Sequence, residues 1–473
     1  MGNVMQKIWS LALAAVLVAS CGGGGGGGFA GIDRLGVTTG TITGFGSIIV
    51  NGVEYETSGT SFLIDDTSGT IGNLQVGQVV TLRWSSTDDG VTRRADEVVY
   101  DDAVEGPITA ASINTVAGTF VVLGQTVAVD PDTSFASPLF DIGSLADGDF
   151  VEVSGYVDDS GQLDPGTVIR ATRVERKIGG GEIEIRGFVS GLTATAFAIG
   201  TQDVDISGIS VPNGLSNGDF VEVRGTAVIA NVLIATEVEL EDEGSSIGDD
   251  GEDAEVEGYV TSFTSNNAFS VAGIPVQSSV PPTGGTVALG AKVRVKGEFN
   301  SSGAIVASEV RVQTGASGSS STVRITANVD TVTPGSNQLV VLGVTVTVNT
   351  ETRLEDQSEE DVRNFTLADL LVGDVVEIRG VPQAGNAILA TLLQRQESDE
   401  EEGILRGPIS SFDEPNDSFS ILGVTVLTNV FTQFEEGIED FFGGDVDVGD
   451  IVKVKFFLAD YPPVVAEEVE LED

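Results

Sequence analysis

The side chains that most often carry chemistry are nearly missing from this sequence, which has no histidine and one cysteine, Cys21, among 473 residues. Without imidazole, no Ser-His-Asp or Cys-His nucleophile can be assembled. Imidazole metal sites and a histidine pH switch are excluded as well. One thiol permits no disulfide within the chain, no zinc-thiolate site, no iron–sulfur cluster and no haem attachment through paired cysteines. Carboxylate is abundant instead: 72 Asp and Glu stand against 23 Lys and Arg, a formal charge of −49. Such a field repels phosphate backbones, so nucleic acid is not an expected partner. It also opposes adsorption to anionic headgroups, which leaves membrane attachment to a covalent anchor. Paired carboxylates can hydrolyse glycosides, but no spacing here singles out a pair.

Short motifs add little. Gly244-Ser245-Ser246-Ile247-Gly248 spells a nucleophile elbow, yet it lies in an acidic segment with no strand-to-helix context and no histidine to act as base. Asp203 and Asp205 open a stretch resembling a calcium loop, whose twelfth position is Gly214 instead of Glu; strand alternation explains the two as an outward pair. The acidic runs Asp249 to Asp253 and Asp399 to Glu402 offer hard oxygens for calcium or magnesium, or simply solvated linkers. No resident cofactor is expected beyond such calcium association. For stacking on a sugar ring the best aromatics are Trp84 and Tyr55, with core or edge packing as the other reading of each.

Cys21 has a context of its own. A weakly basic start ending at Lys7 is followed by the apolar run Ile8 to Val18, of secretory-signal length and too short to span a bilayer. The run then meets Val18-Ala19-Ser20-Cys21, which resembles a bacterial lipobox whose cysteine becomes the lipidated first residue. In lipoproteins of this type a Gly after the cysteine, here Gly22, implies outer-membrane sorting, on the periplasmic or the cell-surface face. The glycine run Gly22 to Gly28 reads as a flexible tether with a root-mean-square span of roughly 15 Å.

The elements that must position any site repeat along the chain. Segments such as DGDFVEVSG from Asp147, NGDFVEVRG from Asn217 and VGDVVEIRG from Val372 align on marker glycines Gly77, Gly148, Gly218, Gly290, Gly373 and Gly449, spaced 70 to 83 residues apart. A second glycine follows seven residues on, at Gly155, Gly225, Gly297 and Gly380, with Trp84 and Phe456 at that place in the first and last copies. An alanine opens the closing strand at Ala95, Ala171, Ala235, Ala307, Ala390 and Ala466. Each copy reads as five strands: one carrying Gly-x-Val/Ile, a second such as FVVLGQTVAV from Phe120, a short third, and a hairpin of two alternating strands. From the second-strand glycine (Gly52, Gly124, Gly200, Gly273, Gly343, Gly423) to the marker glycine the count is 25, 24, 18, 17, 30 and 26, so length varies in one connection. Asn364 to Leu371 in that connection reads as a helical turn.

The predicted fold is therefore all-β: six tandem five-stranded OB-like barrels, or alternatively SH3-like ones, after a signal peptide and poly-Gly tether. The boundaries are 1–20 for the signal, 21–36 for the tether, and 37–102, 103–176, 182–241, 253–313, 322–396 and 402–473 for the modules. Polar segments separate the later copies, while the crossing from Tyr100 to Val104 is tight. Six barrels in a row would make a rod of roughly 150 Å or bend at each linker.

GTITGFGSIIVNGVEY from Gly40, the VG-x-x-V-x-V strand and the A-x-E-V ending resemble the tandem module of bacterial lipoproteins known as domain of unknown function 5666, from Val37 to about Glu472; Ala327 stands where Gly is usual. The resemblance implies small barrels on an exported chain and brings no catalytic residue. The function expected is that of a non-enzymatic envelope lipoprotein, held to the membrane by its lipid and binding an envelope protein or polysaccharide or serving as a spacer. The alternative is a carbohydrate-binding or carboxylate-based hydrolytic protein that uses one diverged module.

Overall fold

Each marker glycine holds a backbone conformation that an L side chain rarely adopts, with φ between 74° and 104° for Gly77, Gly148, Gly218, Gly290, Gly373 and Gly449. Each lies in the turn just before a long strand, and its N–H donates to a carbonyl of the barrel's first strand or the residue after it: Gly148 to Ile108 at 3.1 Å, Gly218 to Val189 at 2.8 Å, Gly373 to Val329 at 2.9 Å. Three residues on, Val80, Val151, Val221, Val293, Val376 and Val452 are all buried. The glycine thus fixes where the strand begins, and with it which face points inward.

A computed structural model describes residues 34–45, 47–86, 93–130, 132–136, 139, 141–158, 168–240, 247–313, 323–349, 352–362, 364–397, 401–435, 438 and 441–472. The lipobox Val18, Ala19, Ser20 and Cys21, the glycine run and the elbow-like serines lie outside them. Residues 33–473 form one compact unit. No helix among the described residues is long and apolar enough to cross a membrane.

One circuit of strands recurs. In residues 183–240 it runs Ile183–Ser190, Ala196–Ile199, Gln202–Asp205, Phe220–Ile229 and Val232–Leu240. The first strand pairs antiparallel with the second and fourth, the second with the third, and the fourth with the fifth; third and fifth pair in parallel and close the ring. This is an OB-like barrel. Barrels with the same circuit lie at 35–100 (I), 104–176 (II), 183–240 (III), 253–312 (IV), 323–395 (V) and 402–472 (VI). The chain is thus all-β and built of several small closed barrels.

Two sequence expectations are corrected within the barrel. The segment read as one second strand is a hairpin, because its glycine turns the chain: Leu123 and Gly124 have φ 46° and 69°, as do Leu342 and Gly343 at 53° and 73°, a left-handed pair that makes a two-residue hairpin turn. The Asn364 to Leu371 segment forms turns instead of a helix: the Asp369 carboxylate accepts from Thr366 N at 2.9 Å and Thr366 Oγ1 at 2.7 Å and closes a single turn that does not propagate. The variable connection also has a simple rule. A short strand lies there, parallel to the fifth strand, in barrels I, II, V and VI (Ser61–Ile64, Ser134–Phe135, Arg353–Asp356, Gln433–Phe434). In IV the place is taken by a single parallel bridge from Thr283 to Arg311, and in III no such strand is found among the described residues.

The barrels are not strung in a row, which corrects the rod. The second strand covers only the later half of the first, so the early half keeps an open edge, and another barrel's first strand fills it. Barrels II and III join antiparallel at Val104↔Ile185 and Glu105↔Glu184. Barrels V and VI join the same way at Arg324↔Arg406 and Ile325↔Leu405. Barrels I and IV, distant in sequence, join in parallel from Gly36↔Asp253 to Thr39↔Val256. Cores merge accordingly: one apolar cluster runs through II and III and another through V and VI, while Val37 of barrel I packs in the core of IV. The linker before barrel IV is likewise not a solvated coil over its described part. Phe299 N donates to Glu252 O at 2.9 Å, Gly251 N to Phe299 O at 2.8 Å, and Glu252 reaches Arg83 of barrel I at 3.5 Å.

Candidate functional site

Barrel II sits against I, III, IV and V, and carboxylates gather where it meets I and III. The antiparallel joint puts Glu105 directly across from Glu184, and the fourth strand of II puts Glu152 across from Glu105. Residues opposite one another share a face, so three glutamates stand in a row on three adjacent strands. The tight crossing after Tyr100 lays Asp102 against this row, and the hairpin turn at Asp65 of barrel I adds a fifth carboxylate. In each of two triads, Asp65, Asp102 and Glu184, and Asp102, Glu105 and Glu152, carboxylate oxygens lie within 4.8 Å of one another.

The edges of the group are compensated. Glu152 accepts from Tyr100 Oη at 2.7 Å and from Gln78 Nε2 at 3.4 Å, and pairs with Lys177. Glu184 faces Arg224 Nε at 3.2 Å and Arg186 Nε at 3.4 Å. Asp65 accepts from the Asp102 N–H at 3.3 Å. The centre is compensated least: Asp102 is 2% exposed, and its Oδ1 receives no hydrogen bond from any described residue. Burial, then the Glu152 charge, pushes Asp65 and Glu105 up to about 7. Burial, then the Glu184 and Glu152 charges, pushes Asp102 well above the ordinary carboxylate range against the opposing Arg186 charge. Acidic groups so placed could coordinate a divalent ion such as calcium.

A second feature lies where barrels I, II, IV and V converge, a cavity of about 300 Å³. Cationic side chains from three barrels line it (Arg170, Lys292, Arg294, Arg311 and Arg353), with Asp130, Asp132 and Glu257 among them. Lys292 and Arg294 pair with Glu257 at 3.0 and 2.8 Å, while Arg170 lies over the Tyr259 ring at 5.3 Å.

Of the residues singled out from sequence, Trp84 and Tyr55 are buried in barrel I, ring centroids 6.3 Å apart, with the Arg93 guanidinium 4.3 Å from the Trp84 ring. Tyr55 Oη is bonded to Thr38 Oγ1 at 2.7 Å. Both rings pack in the core. Asp203 is exposed on the third strand of barrel III, and in a local turn the Ser207 hydroxyl, with Ser207 N at 2.8 Å, keeps the Asp205 carboxyl below the ordinary range. The five junction carboxylates were not singled out by sequence, because their numbers run from 65 to 184 and no local pattern links them; the one available signal was the tight crossing that holds Asp102.

Among solved structures, one described as "drosophila Unr CSD456" is similar over 45% of this chain and 99% of that chain, at 12% identity and a TM-score of 0.15. No curated protein matches the chain. The family model for the domain of unknown function DUF5666 matches residues 105–175, 186–239, 257–311, 324–394 and 406–470, each falling on one of barrels II to VI. Five matched segments across about two thirds of the sequence show that this chain belongs to the DUF5666 family.

Proposed function

We propose that this chain is a non-enzymatic lipoprotein of the cell envelope, acylated at Cys21 and sorted to the outer membrane, whose six copies of one module act as a binding body. Barrel I, outside the matched segments, is the diverged first copy, since it closes through the same circuit of strands. The Val18 to Cys21 sequence supports the anchor. Binding is favoured over a spacer role by one observation: four barrels fold back on one another around the 300 Å³ cavity, whereas a spacer gains nothing from folding back. In that lining five cationic side chains face three carboxylates, in a chain where acids outnumber bases 72 to 23. The ligand that fits is a small anionic group, such as a sugar acid of an envelope polysaccharide.

The hydrolytic alternative is disfavoured because Glu257, one of the three carboxylates that line the cavity, is tied to Lys292 and Arg294 at 3.0 and 2.8 Å, and the five clustered at the junction lie outside it. Two experiments test the reading. Cys21→Ser is expected to move the protein from membranes into the soluble envelope fraction, and unchanged fractionation would refute the anchor. Calorimetric titration with glucuronate and with glucose is expected to give heat for the acid alone. Heat for neither would refute the cavity as the binding seat.

A further inference from the structure

The row of glutamates across barrels II and III poses an electrostatic problem. Like charges directly opposite one another on neighbouring strands destabilise a sheet, and here Glu152, Glu105 and Glu184 lie opposite one another in sequence across three strands. The cations nearby serve the two ends, Lys177 at Glu152 and Arg186 and Arg224 at Glu184. Asp102, common to both triads, is 2% exposed and its Oδ1 receives no hydrogen bond among the described residues; the Arg186 charge acts on it, but burial and the Glu184 and Glu152 charges outweigh that. An isolated buried carboxylate is costly unless something of opposite charge reaches it.

The packing also leaves room for these groups. Gly181, in the turn between barrels II and III, lets the Glu105 carboxylate lie against the backbone, since a methyl group there would fall 1.6 Å from Glu105 Oε1 and push that side chain aside. The oxygens of each triad lie within 4.8 Å of one another, close enough for one divalent ion to bridge them. Calcium takes about six to eight oxygens in flexible geometry, which suits carboxylates drawn from separate strands and turns, whereas magnesium demands a near-ideal octahedron and keeps several waters.

We propose that a single calcium ion binds at the junction of barrels I, II and III, with Asp102 as its shared central ligand and Asp65, Glu105, Glu152 and Glu184 around it. Bound there, the ion ties three barrels together through carboxylates of each and removes the repulsion along the glutamate row.

The test is titration of the EGTA-stripped mature chain with calcium chloride by calorimetry, paired with thermal unfolding with and without about 1 mM calcium, the range of extracellular calcium modules. The expected result is one calcium per chain and a raised unfolding midpoint. Asp102→Asn, which keeps shape and removes charge, should abolish both the heat and the shift, while Asp203→Asn, at an exposed strand position in barrel III, should leave both intact. Glu105→Gln, at the partly exposed edge of the group, should lower the affinity and serves as the second variant if Asp102→Asn does not fold. Absence of heat at millimolar calcium, or binding that neither substitution weakens, would overturn the assignment.

Discussion

Arg173 Nη1 lies 2.8 Å from Glu355 Oε1, an ion pair buried between barrels II and V and formed by residues 182 apart in sequence. Arg173 also donates to Val76 O of barrel I at 3.0 Å, so one guanidinium touches three barrels. Removing one partner of a buried pair strands the other charge. Glu355→Gln or Arg173→Met is therefore expected to cost about 3–5 kcal/mol in denaturant unfolding, and the double substitution to apolar residues to recover much of it. Single variants as stable as the parent would mean that these barrels do not meet in solution.

The second glycine of the repeat sits where the fourth and fifth strands slip by one residue. Register shifts fall at Gly155, Gly225, Gly297 and Gly380. A methyl group at Gly297 would meet the Val306 carbonyl at 2.2 Å, and backbone cannot swing aside. Gly297→Ala is expected to lose about 1–3 kcal/mol through overpacking. Gly335→Ala, with open space around it, should stay within about 0.5 kcal/mol of the parent. Equal stabilities by chemical denaturation would contradict the bulge.

Glu257 sets the acid limit of one joint. Burial alone would raise its pKa, but the charges of Lys292 and Arg294, with a 2.7 Å hydrogen bond from Gln313 Nε2, outweigh burial and hold it well below the ordinary range. A carboxyl depressed in the folded state contributes stability that is present above its unfolded pKa, about 4.3, and is lost as pH falls through the folded value. Glu257→Gln should therefore destabilise at pH 7, with the gap to the parent constant down to about pH 4.5 and narrowing below it. A pH-independent gap would assign the loss to packing.

How much of this was legible in sequence follows from what each feature depends on. The marker glycines were legible because a left-handed turn restricts a position to few residues, and that restriction recurs in every copy. The departures at Trp84 and Phe456 make equal sense once Gly36 and Gly403 are seen opposite them: a methyl group at either glycine would lie 2.4 Å from the ring, so glycine and bulky side chain have exchanged strands. The hairpin at Leu123-Gly124 was missed although glycine inside an apolar run is a turn signal, because the β-branched residues on both sides mask it. The joining of barrels was hidden for a different reason. Nothing near Gly36 specifies Asp253 as its neighbour; an open strand edge finds its partner through the whole fold. The Glu105 and Glu184 row inherits that invisibility, since it exists only when II and III join.

Barrels that fold back on one another make a compact body, which small-angle X-ray scattering of the mature Cys21→Ser chain would register. A single body of this length should have a radius of gyration of about 22 Å. A value above about 40 Å, as for barrels spaced along a rod of roughly 150 Å, would contradict the pairing of barrel I with barrel IV and the cavity that depends on it.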